Sequence, residues 1–335
     1  MKYTLLLILI LTLLLSSCSE THKAPDVENI RVNFKLIPFY KDLSEISPDS
    51  MEHYLPTLKS KYGDYLKAIS IKVLRIGSPD DKDYANNLKE FLKYDANRDV
   101  FRKIDSLYPN IEIFRPDIEQ AFKYYKYYFP KNDCPDVYFH ISGFNQSIVV
   151  DSTWLSVSIE KYLGSGCQFY KWLEIYNYIR RSMIPEKVVP DIMKAIALTG
   201  FPFQPDKYNL LNNLIYQGKV LYLVRQTCPS LPDTLLFDFT EKQLTWTENF
   251  EAGIWGYMIE QKHLFSTDRM VIQKYIGEGP FNSYLGEESP GKIGGYVGYK
   301  IVEKYMGKNP TITLQQLMKE QSGQKVLSDS GYSPG

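Results

Sequence analysis

The chain has 335 residues with 39 basic and 39 acidic side chains, so no basic excess points to nucleic acid. Charged residues at 23% and apolar residues at 44% are the proportions of a folded globular protein, and no low-complexity tract or internal repeat interrupts them. The length allows one large or two modest domains, each with a real core.

The N-terminus carries an address. Met1-Lys2-Tyr3 gives a positive start, residues 4–15 are apolar, and Leu15-Ser16-Ser17-Cys18 closes the run in the manner of a bacterial lipobox. This reads as a signal peptide over residues 1–17. The run falls short of the roughly 20 apolar residues that span a membrane. The expected mature chain begins at Cys18 with lipid on its sulfur and its amino group. Several acyl chains anchor far better than one, because each buried methylene contributes about 0.8 kcal/mol. The alternative is a plain secreted protein in which Cys18 is incidental. Removing residues 1–17 takes away only Lys2 and leaves a net charge of −1. No second long apolar run follows. Residues 18–29 read as a lipidated tether and residues 30–335 as a single body, with a helical subregion over 40–130.

Along the body, residues 30–39 alternate apolar and polar, the period of a half-buried strand. Residues 42–77 have helical spacing around a turn at Ser47-Pro48-Asp49, and residues 80–107 read as helix. An aromatic and basic run at 122–129 either covers a sheet edge with its tyrosines or, through Tyr124 and Tyr127, presents a surface for glycan or peptidoglycan; packing is the favoured reading. Residues 136–144 and 147–163 read as two strands, expected to pair as a hairpin through Gly143-Phe144-Asn145. Residues 180–198 read as one amphipathic helix, and residues 208–226 as the next. Thr240 to Gln243 has the form of a capping box opening a long helix to about residue 263. Pro290 is expected to open a helix in which Gly294 and Gly298 share a face. Each internal glycine there costs about 1 kcal/mol, tolerable where backbones approach closely. A short helix over 313–319 and a frayed tail from 331 complete the chain. Strands first and helices after favour an α+β fold, predominantly helical with a small antiparallel or mixed sheet.

Cysteine and histidine are sparse. Cys134, Cys167 and Cys228 form no Cys-x-x-Cys pair and read as buried apolar residues, with a Cys134–Cys167 bridge as the alternative. His22, His53, His140 and His263 are too scattered to suggest a metal site. Trp154 and Trp172 are core candidates. Glu251 and Trp255, four apart on one helix face, either line a cleft or serve packing. Glu186 follows Pro185 in a first helical turn, where a carboxylate favours the helix dipole.

Several stretches in order resemble the gliding-motility lipoprotein GldB family of Bacteroidetes-type bacteria. They are the lipobox, residues 159–164 (IEKYLG), 183–191 (MIPEKVVPD) and 216–222 (YQGKVLY), Trp255 with 264–268 (LFSTD), and the glycine-rich run 290–306. That family is similar in turn to zincin-like zinc peptidases, whose His-Glu-x-x-His helix supplies two ligands and a base while a glutamate on the next helix supplies the third ligand. The resemblance places the two histidine positions at Pro185 and Val189, the base at Glu186 and the third ligand at Gln217. Proline and valine ligate nothing, and a neutral amide is a poor zinc ligand. The implied site is degenerate: a zincin-like fold with no metal and no cofactor, reused for binding, with Glu186, Glu251 and Trp255 as candidate binding residues. The implied function is a lipid-anchored, non-enzymatic envelope protein, on the periplasmic face of the inner or outer membrane. It would support gliding motility or type IX secretion through envelope proteins. The alternatives are a lipid-anchored hydrolase built around Glu186, Glu251 and His140, and a peptidoglycan binder.

Overall fold

The computed structural model describes residues 24–145 and 147–335; the signal segment and the expected lipidation at Cys18 lie outside the described residues. Of the alternating stretch at 30–39, only strand β1 (Leu36–Ile37) pairs. Pro38 has no N–H for the ladder, and the chain turns at once into helix α1 (Phe39–Glu45). Helix α2 (Met51–Ile69) is kinked at Gly63, whose φ of 46° no ordinary helical residue adopts. The segment expected as one helix is two, α3 (Tyr84–Lys93) and α4 (Asp95–Leu107), separated by an extended Tyr94. Helix α5 (Arg115–Tyr128) carries the aromatic run, with Phe122, Tyr124 and Tyr125 buried and Tyr127 exposed. Lys123 pairs with Glu119 one turn back.

The sheet is formed by β1, β2 (Asp136–His140), β3 (Ile148–Val150) and β4 (Trp154–Ser158) in the order β1-β2-β4-β3. Strands β1, β2 and β4 run parallel, and β3 lies antiparallel on the outer edge of β4. The expected hairpin through Gly143-Phe144-Asn145 is therefore not formed. Buried Glu160 accepts hydrogen bonds from the Ser142 and Phe144 backbone N–H groups and from the Ser142 hydroxyl. Those bonds hold the loop off the ladder, and the true hairpin is β3–β4, closed by the Asp151 N–H to Trp154 carbonyl bond at 2.8 Å. Every residue of β4 is buried, so this central strand shows no alternation at all.

Two short helices, α6 (Gln168–Trp172) and α7 (Asn177–Arg180), form a collar after the sheet. The helix expected from Arg180 begins only at α8 (Val188–Gly200), after a 3₁₀ turn at Pro185–Lys187. Pro185 cannot donate within a helix interior and is accepted only at such a start. Helix α9 (Leu210–Thr227) follows, then α10 (Asp233–Phe237). The Thr240–Gln243 capping box opens α11 (Glu241–Asn249), and the expected long helix breaks at Phe250 before α12 (Glu251–Glu260). The chain ends with α13 (Arg269–Ile276), α14 (Ile293–Lys308), α15 (Leu314–Lys319) and α16 (Gly323–Ser330). Helix α14 starts three residues beyond Pro290, behind Lys292 in the left-handed conformation (φ 53°).

Helices α9 and α14 pack backbone to backbone. A Cβ on Gly298 would lie 1.8 Å from the Leu214 carbonyl oxygen, and one on Gly218 would lie 2.2 Å from the Gly298 carbonyl carbon. The glycine spacing thus reflects close approach rather than flexibility. The tail is not frayed: Tyr332 is buried and donates to Glu251 at 2.8 Å. Trp154 is in the core, whereas Trp172 is 66% exposed. Cys134, Cys167 and Cys228 are free thiols, so the alternative Cys134–Cys167 bridge does not form.

Candidate functional site

A cleft of about 700 Å³ opens between residues 143–145 and 147–148, the α6–α7 collar, the cleft-side face of α8 and the 278–292 segment. Helix α8 and the turn before it present Lys187, Asp191, Lys194, Ala195 and Leu198 to it, a stripe at helical spacing. At its floor, the Lys187 ammonium lies 2.8 Å from one Asp238 oxygen and 3.4 Å from Asp191, and also donates to the Leu235 carbonyl at 2.9 Å. Lys292 reaches the other Asp238 oxygen at 3.4 Å and Glu278 at 2.8 Å. The Ser182 hydroxyl donates to Asp238 at 2.8 Å, and the Tyr162 hydroxyl donates to Asp191 at 3.1 Å. Asp238 is brought there by its left-handed conformation (φ 60°) at the end of α10, and Lys292 by its own at the start of α14.

The electrostatics follow from burial opposed by pairing. Burial alone raises the Asp238 carboxyl, but Lys187, Lys292 and Lys194 outweigh it and hold the group well below the usual carboxylate range. Burial alone lowers the Lys187 ammonium, and Asp191 and Asp238 reverse that, leaving it raised. Lys194 is the exception. Burial lowers it, the neighbouring Lys292 and Lys187 add to the effect, and the attraction of Asp238 does not compensate. Among the described residues no carboxylate lies within 4 Å of its ammonium, while Asp191 and Asp238 are paired to other lysines.

The residues singled out in the sequence fall elsewhere, with one exception. Pro185 and Val189 are partly buried and do not line the cleft, and the Glu186 side chain is exposed outside it, where its charge adds to the burial that raises the Tyr108 phenol. Two positions along a helix turn the side chain by about 200°, so Lys187 and Asp191 occupy the cleft face that Pro185 and Val189 leave. Gln217 alone reaches the cluster. It lines a small cavity of about 30 Å³ with Lys194, Asp238 and Lys292. Glu251 accepts from the Tyr296 hydroxyl at 3.0 Å and from Tyr332, and the Trp255 ring stands edge-on to Tyr332. That pair clamps the C-terminus. His140 is fully buried, bonds Ser156 through Nδ1 at 2.7 Å, and is pushed down to about 3 by burial, hence neutral. Burial pushes the Cys134 thiol up to about 11 and the Cys228 thiol to about 12, so neither is a nucleophile at neutral pH.

A zinc ion of the kind implied by a zincin-like fold does not fit these residues. Pro185 and Val189 have no donor atoms, and the inner carboxylates are already held by ammonium groups. A dication would add charge beside Lys187, Lys194 and Lys292. Among the described residues no three His, Cys, Asp or Glu side chains gather as a metal site. The cleft residues Lys187, Asp191 and Lys194 carried one readable signal, charges at i, i+4 and i+7 on an otherwise apolar helix. Asp238 and Lys292 carried none.

No helix of the described residues is long and apolar enough to cross a membrane. Neither the curated proteins nor the solved structures give a match to this sequence. The family model described as gliding motility protein GldB matches residues 20–334, nearly the whole chain. The chain therefore belongs to the gliding motility protein GldB family, a family of gliding-motility-associated lipoproteins.

Proposed function

We propose that this protein is a lipid-anchored, non-enzymatic component of the cell envelope that serves gliding motility, and type IX secretion with it, by binding another envelope component. The observation that carries the reading is the cleft floor. Lys187, Asp238 and Lys292 hold one another in an ion-paired chain in which both Asp238 oxygens are already engaged by ammonium groups, an arrangement suited to binding and positioning. The degenerate zincin-like descent implied by the sequence resemblance is compatible with this.

The test separates binding from hydrolysis. Full-length protein with Glu186→Gln is expressed in cells that lack the native chain, and gliding is scored beside the amount of protein in the membrane fraction. Glu186 is exposed, so the variant is expected to fold. Restored gliding supports the non-enzymatic reading. Loss of gliding at an unchanged protein level, together with a hydrolytic activity of the purified wild type that the variant lacks, would put a hydrolase built on Glu186 in its place.

A further inference from the structure

The cleft has more positive charge than its own carboxylates neutralise. Its basic lining is Lys161, Arg181, Lys187, Lys194 and Lys292, against Asp191, Asp238 and Glu278. Pairing uses Lys187 and Lys292. Among the described residues neither Lys161 nor Lys194 has a carboxylate within 4 Å, although burial lowers both. Arg181 bonds Gln243 through one terminal nitrogen, and its buried Nε has no partner among the described residues. Lys161 and Lys194 are partly buried, and an unpaired cation withdrawn from water carries a cost that a ligand carboxylate relieves.

The rim supplies the second half of the recognition. Trp172, Leu173 and Tyr176 on the collar are 66%, 50% and 67% exposed, and Ile179 and Leu198 are also exposed. Leu173, Ile179 and Leu198 line the cleft itself, and Tyr176 stacks on the cleft-lining Tyr178 at 5.6 Å. Exposed aromatic and aliphatic side chains gathered beside a cleft mark a partner surface. A compact phosphate suits this site poorly. Asp191 and Asp238 stand between the lysines and repel a multiply charged anion, and the unpaired lysines sit on separate elements, the turn after β4 and helix α8. Acidic side chains separated by apolar ones match both the spread charges and the apolar rim.

We infer that this cleft is the docking groove for an acidic peptide segment of a partner protein, with Lys194 and Lys161 receiving its carboxylates and the collar covering its apolar side chains. The inference rests on the binding reading above and names the chemistry of what is bound. The test uses full-length protein in detergent micelles and a rhodamine-labelled, C-terminally amidated peptide of sequence Leu-Asp-Leu-Asp-Leu, followed by fluorescence anisotropy. The control peptide is Leu-Asn-Leu-Asn-Leu. The aspartate peptide is expected to bind about tenfold more tightly than the asparagine peptide, and Lys194→Met is expected to remove most of that preference. Lys194→Arg keeps the charge and is expected to keep the preference, which separates lost recognition from lost folding. No binding, equal binding of the two peptides, an unaffected Lys194→Met variant, or full displacement by an equal concentration of inorganic phosphate would each overturn the groove. None of these results would touch the non-enzymatic reading, which gliding with Glu186→Gln tests separately.

Discussion

The seam between α9 and α14 and the cleft beside α8 are built on opposite principles. In the seam, Gly218 and Gly298 bring two backbones into contact, and the apolar side chains around them are buried. In the cleft, Lys187, Asp238 and Lys292 come from three separate elements and pair at a desolvation cost that a well-packed apolar cluster would avoid. One region is held by shape and the other by charge, yet helix α14 belongs to both. Its glycine face fixes it against α9, and that docking sets where Lys292, at its N-terminus, meets Asp238. The charged region lies beside an exposed apolar collar, the surface on which the proposed binding role rests.

The sharpest way to break the comparison is at the seam. Gly298→Ala is expected to cost about 4 kcal/mol, above the usual range for an overpacked core, because both clashing groups are backbone and no rotamer relieves them. Urea unfolding of the purified protein measures this. A loss under about 1 kcal/mol would mean the helices can part without penalty. In the cleft, Asp238→Asn keeps the side-chain shape but leaves Lys187 and Lys292 without their shared partner. A loss of about 3 kcal/mol is expected in the same assay.

Acid separates two ionisable groups, the buried His140 and the partly buried Asp238, by where each acts. His140 has its pKa pushed down to about 3, below its ordinary 6.5, so the unfolded chain takes up a proton first. Stability from keeping it neutral is complete above pH 6.5 and is lost as pH falls from there toward 3. Asp238 is also held below its ordinary value of 3.8, so its contribution is complete above that pH and lost only below it. The urea midpoint of His140→Gln is expected to fall less steeply than wild type between pH 6.5 and about 4, and that of Asp238→Asn to differ in slope only below about pH 4. Parallel profiles for wild type and His140→Gln would remove the histidine from the account. The smallest effect serves as a control. Gly256 in α12 has open space where a Cβ would go, so Gly256→Ala is expected to stabilise by about 0.5–1 kcal/mol, opposite in sign to Gly298→Ala.

The seam is legible in the sequence because glycines four apart in a helix are a local pattern. The Thr240–Gln243 capping box and the mixed, mostly helical composition are legible for the same reason. Pairing is not. Residues 136–144 and 147–163 read as two strands, but nothing local says that the second stretch divides into β3 and β4, that β2 and β4 run parallel or that Glu160 captures the loop between β2 and β3. The cleft is half legible. Lys187, Asp191 and Lys194 share a helix face, but the family resemblance marks Pro185, Glu186 and Val189 instead, which point away from it. Asp238 and Lys292 enter through left-handed backbone turns that sequence spacing does not announce.

The account turns most directly on what occupies the heart of the cleft, an ion-paired chain rather than a metal centre. Elemental analysis of the full-length protein, purified from detergent without chelator, tests that. Zinc far below stoichiometric is expected, because Lys187, Lys194 and Lys292 surround the only carboxylates a metal in the cleft floor would meet among the described residues. One zinc per chain, lost on Asp238→Asn, would contradict the account and return a metal-dependent hydrolase to first place.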